Sequence, residues 1–263
     1  CERIPHDQIE SVYGLLTLAH YRTSPLDLRR LLDAPQQQFY LAQAHDALLG
    51  CVWAVPEGGG TDKTLIRQIR RGERRPHGNL VAQMLCFQAG LEEACELRSL
   101  RISRIAVQPN WQQQELGQRL IGQIKQQQIK QQGAVNFLSV SFGYTPELLA
   151  FWQKCGFILV HFSESKEASS GCYSVVALCP LSEKGRVFVQ RAEKQFQRNL
   201  PLSFHPLATQ FVRTEIAWTL DSSDWQLLTD FADFFLPLSS VLPSIRRLMK
   251  SAGELPFHLL ADY

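Results

Sequence analysis

The sequence is short of several things, and each shortage excludes something. No apolar run approaches the length of a membrane span, and no secretory signal opens the chain, so no membrane partner is expected. Charge of one sign is scarce: 27 Lys and Arg against 25 Asp and Glu leave a formal net charge of +2. That is too little for a globally basic nucleic-acid binder, so any basic surface must be local. The seven cysteines (Cys1, Cys51, Cys86, Cys95, Cys155, Cys172, Cys179) lack CxxC spacing. This argues for reduced, buried thiols in a cytoplasmic protein rather than a disulfide framework or zinc site. His6, His45, His161 and His205 show no ligand spacing, so no metal is expected. No internal repeat stands out, and no GxxxxGK[ST] loop occurs. The chain opens on Cys1 rather than Met, so it is expected to be a fragment or a processed product.

What is present is an ordinary globular composition, 263 residues with 45% hydrophobic and 20% charged. That suffices for one large domain or a domain with an appendage. Apolar spacing predicts a helix over 8–20, with another opened by Ser24 and Pro25 and closed by Pro35. Two strands joined near His45 and Asp46 follow. A short basic helix is predicted over 61–71, a loop over 70–79 and a helix over 79–97. Then come strand 100–107, helix 115–132, strand 135–142, helix 146–155 and strands 157–162 and 172–179. Beyond Ser182 the texture becomes helical, around 183–198, 224–236 and 240–250, and a boundary is placed there. The expected fold is α/β (α+β), a mixed sheet with flanking helices over 1–182 and a small helical region over 183–263. If strands 100–107 and 135–142 are neighbours, the helical crossover between them makes them parallel.

"RIAVQPNWQQQELGQRLI" (104–121) carries a strand into a turn and then a helix. A helix N-terminus presents unpartnered N–H groups and the positive end of a dipole, so such a turn can hold an anion. It can equally be an ordinary connection. Taken with "LLAFWQKCGF" (148–157), the order of elements resembles the GNAT acetyltransferase superfamily. The motif Q/R-x-x-G-x-G/A of that superfamily aligns with Gln112, Gln113, Gln114, Glu115, Leu116 and Gly117, with Glu115 in place of a glycine. Further stretches, "AHYRTSPLDLRRLLDAP" (19–35), "RRPHGNLVAQ" (74–83) and "LSVSFGYTPELLAFWQKCGF" (138–157), are similar to the acetyltransferase portion of the bacterial tRNA(Met) cytidine acetyltransferase family.

The resemblance implies acetyl-CoA as cofactor and elongator tRNA(Met) as partner, with transfer to the exocyclic amine of the wobble cytidine. Ile105, Ala106 and Val107 would supply strand backbone to the cofactor, with the Val107 N–H as oxyanion donor. Gln112 through Gln118 would hold the pyrophosphate. Glu147 and Lys154 share one face of the helix flanking the reactive end. Glu147 is a candidate proton acceptor or a solvated helix-start carboxylate. The superfamily often protonates the leaving thiolate with a tyrosine where Trp152 stands here, so Tyr144 is a substitute candidate or simply a packed loop residue. Family members also carry an ATP-hydrolysing module, so ATP enters only if such a module accompanies this chain. Arg67, Arg70, Arg71, Arg74 and Arg75, extended by Arg22, Arg29 and Arg30, are candidates for RNA phosphates or merely a solvated face. His20 and Tyr21 could stack on a base or cap a helix. The alternatives are a GNAT enzyme for a protein or small-molecule amine, and a degenerate RNA-binding module without catalysis.

Overall fold

An apolar stretch interrupted at His45 builds a hairpin: β1 (Gln38–Ala44) and β2 (Ala47–Glu57) pair antiparallel around a turn at His45. The structure, a computed structural model, describes residues 8–18, 29, 37–45, 47–131, 135–168 and 170–251. Helix α1 (Ile9–Leu18) buries Val12, Leu15 and Leu16 against Cys51, Trp53 and Ala106 of the sheet. Asp62 caps α2 (Lys63–Arg70) by accepting the N–H groups of Thr64 and Leu65. The helix expected over 79–97 is broken. Gly90 turns left-handed at φ +67 and closes α3 (Leu80–Ala89), and only one further turn, Glu93–Glu96, is helical.

The remaining elements are β3 (Ser99–Val107), α4 (Leu116–Lys130), β4 (Phe137–Gly143), α5 (Pro146–Lys154), β5 (Ile158–Lys166) and β6 (Tyr173–Pro180). They are followed by α6 (Glu183–Asn199), α7 (Ser222–Asp233) and α8 (Leu238–Ser251). The sheet runs β1-β2-β3-β4-β6-β5, and β3/β4 is its parallel pair, as the helical crossover requires. On one face, Leu120, Ile121 and Ile124 of α4 and Trp152 of α5 pack on Leu100, Ile102, Leu138 and Val140. On the other, α3 (Val81, Leu85) and α6 (Phe188, Val189, Ala192) cover Phe137, Val176 and Leu178. The helix that starts just past Ser182 is thus part of the sheet's covering layer. The described cysteines are unpaired thiols, buried at Cys51, Cys86, Cys95, Cys155 and Cys179.

Helices α7 and α8 share a small core of Leu227, Leu236 and Val241. A buried ionic network ties them to α6. Asp224 accepts from Arg198 at 2.6 Å, Arg247 at 3.0 Å and the Ser244 hydroxyl at 2.7 Å. Arg247 is fully buried, and its remaining donors reach the carbonyls of Ala217 and Arg198 and the Asn199 amide oxygen. Every charge in the network therefore has a partner, the condition under which buried ions are tolerated.

Candidate active site

The parallel ladder of β3 and β4 covers only Ser99 to Ile102 against Phe137 to Val140, yet both strands run on, to Val107 and Gly143. A bulge explains the parting. Ala54 pairs with Ile102 and Trp53 with Arg104, so Ser103 is an extra residue opposite β2. A bulge bends its strand and inverts the side-chain alternation beyond it. Leu100 and Ile102 face α4, and past the bulge so does Ile105, whose Cδ1 would lie 3.7 Å from a Cβ on Gly117. Ala106 instead packs under α1.

The same register fixes the backbone. The Gln108 N–H donates to the Leu49 carbonyl at 2.9 Å, and Ala106 stands opposite Cys51. Alternation along an antiparallel pair then turns the peptide groups of Ala106 toward β2 and those of Ile105 and Val107 into the gap. Of the three strand positions expected to hold a cofactor by backbone, Ile105 turns its N–H and carbonyl there and Val107 its N–H. Ala106 uses its own in the sheet. The Val107 carbonyl accepts the Gln112 side-chain amide at 3.0 Å, which ties the start of the turn to the end of the strand.

Gln113 and Glu115 lie left-handed, at φ +59 and +61, and Glu115 is the residue before α4. The glutamate thus adopts the backbone conformation a glycine would take there, with its side chain exposed. Among the described residues, the N–H groups of Gln113 through Gln118 have no acceptor. Unpartnered N–H groups over a turn and the start of a helix form a donor set that can hold an anion. Gly117 packs closely for a separate reason: a Cβ there would lie 3.2 Å from the Phe151 ring, which would have to shift by a few tenths of an ångström. Arg119, Lys125 and Lys154 line an adjoining cleft of about 310 Å³, together with Glu115 and Gln118.

The other α5 candidates divide. Glu147 is exposed in the first turn of α5, and Lys154, one face along, reaches the cleft. The Tyr144 hydroxyl donates to Gln210 at 3.1 Å and its ring meets the edge of Phe211. It tethers the helical region to the sheet, and thiolate protonation would require that bond to break. Trp152 is a core residue, 3% exposed, packed on Phe142, Phe151 and Phe157.

The arginine cluster also divides. Arg70 pairs with Glu92 at 3.2 Å and with the buried Asp230 at 2.9 Å, while Arg71 lies 3.7 Å from Asp230 and over the Phe234 ring. These two hold α7 against α2, and their charge is matched. Arg67, Arg74 and Arg75 are exposed, as is Arg29. Arg22, Arg30, His20 and Tyr21 lie outside the described residues.

Arg74 and Arg75 border a groove of about 900 Å³ on the sheet face opposite α4. Sequence reasoning missed its other walls: His77, Arg101, Arg104 and the rings of Trp53 and Phe87. The groove reaches Ser103, the bulge residue at the gap. Its rim is set by Glu57, a buried carboxylate that accepts the N–H groups of Leu80, Val81 and Ala82 and the Arg101 guanidinium. Glu57 thereby caps α3 and aims Arg101. The parted strands thus join a turn with unpartnered N–H groups on one face to a cationic, aromatic groove on the other.

The GNAT acetyltransferase 2 family model matches residues 11–132 and 123–182, and the tRNA-binding domain model matches 185–261. The chain is 57% identical over 251 residues to the tRNA(Met) cytidine acetyltransferase TmcA of Haemophilus influenzae, covering 95% of this chain and 37% of that protein. It is 46% identical over 248 residues to the protein of that name from Actinobacillus pleuropneumoniae, covering 93% and 41%. The chain spans about two fifths of the length of these curated relatives. Among solved structures it is similar to FeeM, an N-acyl amino acid synthase from uncultured soil microbes. That likeness has a TM-score of 0.50 at 10% identity, over 73% of this chain and 94% of that one, and is one of fold.

Proposed function

We propose that this chain, which belongs to the GNAT acetyltransferase family, transfers the acetyl group of acetyl-CoA to the exocyclic amine of the wobble cytidine of elongator tRNA(Met), forming N4-acetylcytidine. The observation that carries this reading is the gap between β3 and β4, with unpartnered donors on one face and a cationic, aromatic groove on the other. Bound acetyl-CoA supplies an activated acyl group. The chain's own residues hold it: the N–H groups of Gln113 through Gln118 on the pyrophosphate, Arg119, Lys125 and Lys154 beside the phosphates, and Ile105 and Val107 along the arm.

The amine of cytosine is conjugated into its ring and neutral at pH 7, so no ammonium has to be deprotonated first. The obstacle is weak nucleophilicity. The groove positions the base, and the Val107 N–H donates to the carbonyl oxygen as charge develops on it. Glu147 accepts the proton released by the amine, directly or through water, and the tetrahedral species collapses with cleavage of the C–S bond, CoA leaving as a thiolate that takes its proton from solvent. Acting on tRNA implies work in the cytoplasm. A polyamine acceptor fits less well, because the exposed Arg74 and Arg75 would repel it. Neither sequence departure argues for a non-catalytic module: Glu115 adopts the turn's conformation, and Trp152 belongs to the core.

Calorimetry with acetyl-CoA tests the cofactor half of this reading. Binding in the micromolar to sub-millimolar range is expected, and no heat at millimolar cofactor would end it. Glu115→Gly is expected to tighten acetyl-CoA several-fold by removing a carboxylate from the anion site. It should also stabilise the fold by on the order of 0.5–1 kcal/mol by relieving the left-handed backbone. Unchanged affinity would mean that the side chain points away from the cofactor. Replacing Arg74 and Arg75 together with alanine is expected to weaken tRNA binding and to flatten its salt dependence. The loss of slope should be about 0.7–0.9 for each phosphate contact removed. An unchanged slope would take these arginines out of the RNA path.

A further inference from the structure

A second cavity, of about 220 Å³, lies between β5, α6 and the start of α8. Phe204 stands at its mouth at two visible costs. Its ring is 77% exposed, and its backbone is left-handed at φ +54, a conformation bulky residues rarely take. The Arg246 guanidinium covers the ring at 3.1 Å from its centroid and is held there by donating to the Leu202 carbonyl at 2.6 Å. The high exposure leaves the rest of the ring open. Solvent-facing aromatic rings and arginine planes are what RNA readers use to stack bases taken out of a helix.

The interior suits a flat, uncharged guest. Phe162 and His205 stack at 4.8 Å and form one wall. His161 bonds Gln88 at 2.7 Å, and His205 bonds the Ser163 carbonyl at 3.0 Å. Burial, with His205 nearby, pushes His161 down to about 4, and burial pushes His205 down as well, so both rings are neutral at pH 7. The Ser239 hydroxyl oxygen, in the wall, is buried and has no partner among the described residues. The volume falls below the roughly 300–1,000 Å³ of sites for drug-sized ligands, which suits one ring system with its sugar and phosphate left outside.

We propose that this cavity receives an unstacked base of the RNA substrate, stacked at the mouth on the Phe204–Arg246 platform. The proposal rests on the tRNA reading above and deepens it. Both platform residues fall within the tRNA-binding match; the groove that would hold the reacting cytidine shares Gln88 of α3 with the cavity, but the rest of its lining, from β2, β3 and α3, includes neither platform residue. The site therefore holds a base other than the one acetylated and contributes to the choice of tRNA.

The test uses the whole chain with tRNA(Met). Phe204→Leu keeps apolar bulk and removes the ring. It is expected to weaken tRNA binding about tenfold, the range of one lost base stack. The salt slope and the acetyl-CoA affinity should not move, because no phosphate contact is lost. Arg246→Lys keeps the charge, loses the plane, and should shift binding the same way. Parent-like tRNA affinity in Phe204→Leu would overturn the proposal, as would a loss accompanied by a flatter salt slope. Should either variant melt early, a second measurement decides: single 2-aminopurine substitutions at unpaired positions of the tRNA, bound to the parent protein. One position besides the wobble base is expected to change its stacking signal on binding, and no change at any such position overturns the proposal. Free AMP or CMP that binds this cavity without tRNA(Met) displacing it would assign the site to a small nucleotide instead. If the parent binds no tRNA at all, the functional reading itself falls, an outcome distinct from a parent that binds tRNA without using Phe204.

Discussion

Replacing Val107 with proline is expected to lower kcat by about 10²–10³-fold while the sheet stays folded. The magnitude is that of deleting one donor from an oxyanion site. The specificity comes from the register. The Val107 N–H faces the gap between β3 and β4 rather than β2, so proline removes no ladder bond. Ala106 is already extended, as a residue before proline must be. The Val107 carbonyl, which accepts from Gln112, is untouched. An interaction made mainly as charge develops should lower kcat and kcat/KM together. Steady-state kinetics with a thermal melt as control measure both. A kcat within threefold of the parent would remove Val107 as the donor.

Asp224→Asn is expected to cost about 3–5 kcal/mol of stability, the range seen when one member of a buried ion pair is removed. At about 2–4 °C per kcal/mol for a chain approaching this size, that is a fall in Tm on the order of 10 °C. The reason is what remains behind. Arg247 is fully buried and Arg198 partly so, and both would face a neutral amide in place of their carboxylate. The pH dependence carries the same signature. Burial pushes the Asp224 carboxyl up, but Arg198, the Ser244 hydroxyl, the Asp221 N–H and Arg247 outweigh it and hold it down to about 2. A carboxylate depressed on folding stabilises above its unfolded pKa, near 4, and loses that contribution as pH falls toward 2. The parent should therefore lose stability through that window, and the variant should show a flatter acid limb. Parallel acid limbs would contradict the assignment.

Much of this fold is written in local pattern. Apolar runs split by a polar turn at His45 and Asp46 mark β1 and β2, and the strand–helix–strand order at 100–142 forces β3 and β4 parallel. The turn at 112–118 is legible from its place between a strand and a helix, although not its left-handed residues, because glutamine and glutamate do not announce positive φ. Gly90 hid the end of α3, since a glycine inside an apolar run does not say whether it interrupts a helix. The bulge at Ser103 depends on a partner strand, which one segment cannot reveal. The groove was the least legible part. Trp53, Arg101 and Arg104 come from strands that meet only in the sheet, and Glu57 acts by capping a helix that starts far along the chain. The arginine run misled for the same reason: Arg70 and Arg71 face Asp230, a partner that only the packing of α7 on α2 supplies.

The most direct test of the central claim is nucleoside mass spectrometry of tRNA(Met) after incubation with the chain and labelled acetyl-CoA, run beside a polyamine acceptor. The account predicts one labelled acetyl group on the wobble cytidine, none on other cytidines and little on the polyamine. Labelled polyamine with unmodified tRNA(Met) would contradict it.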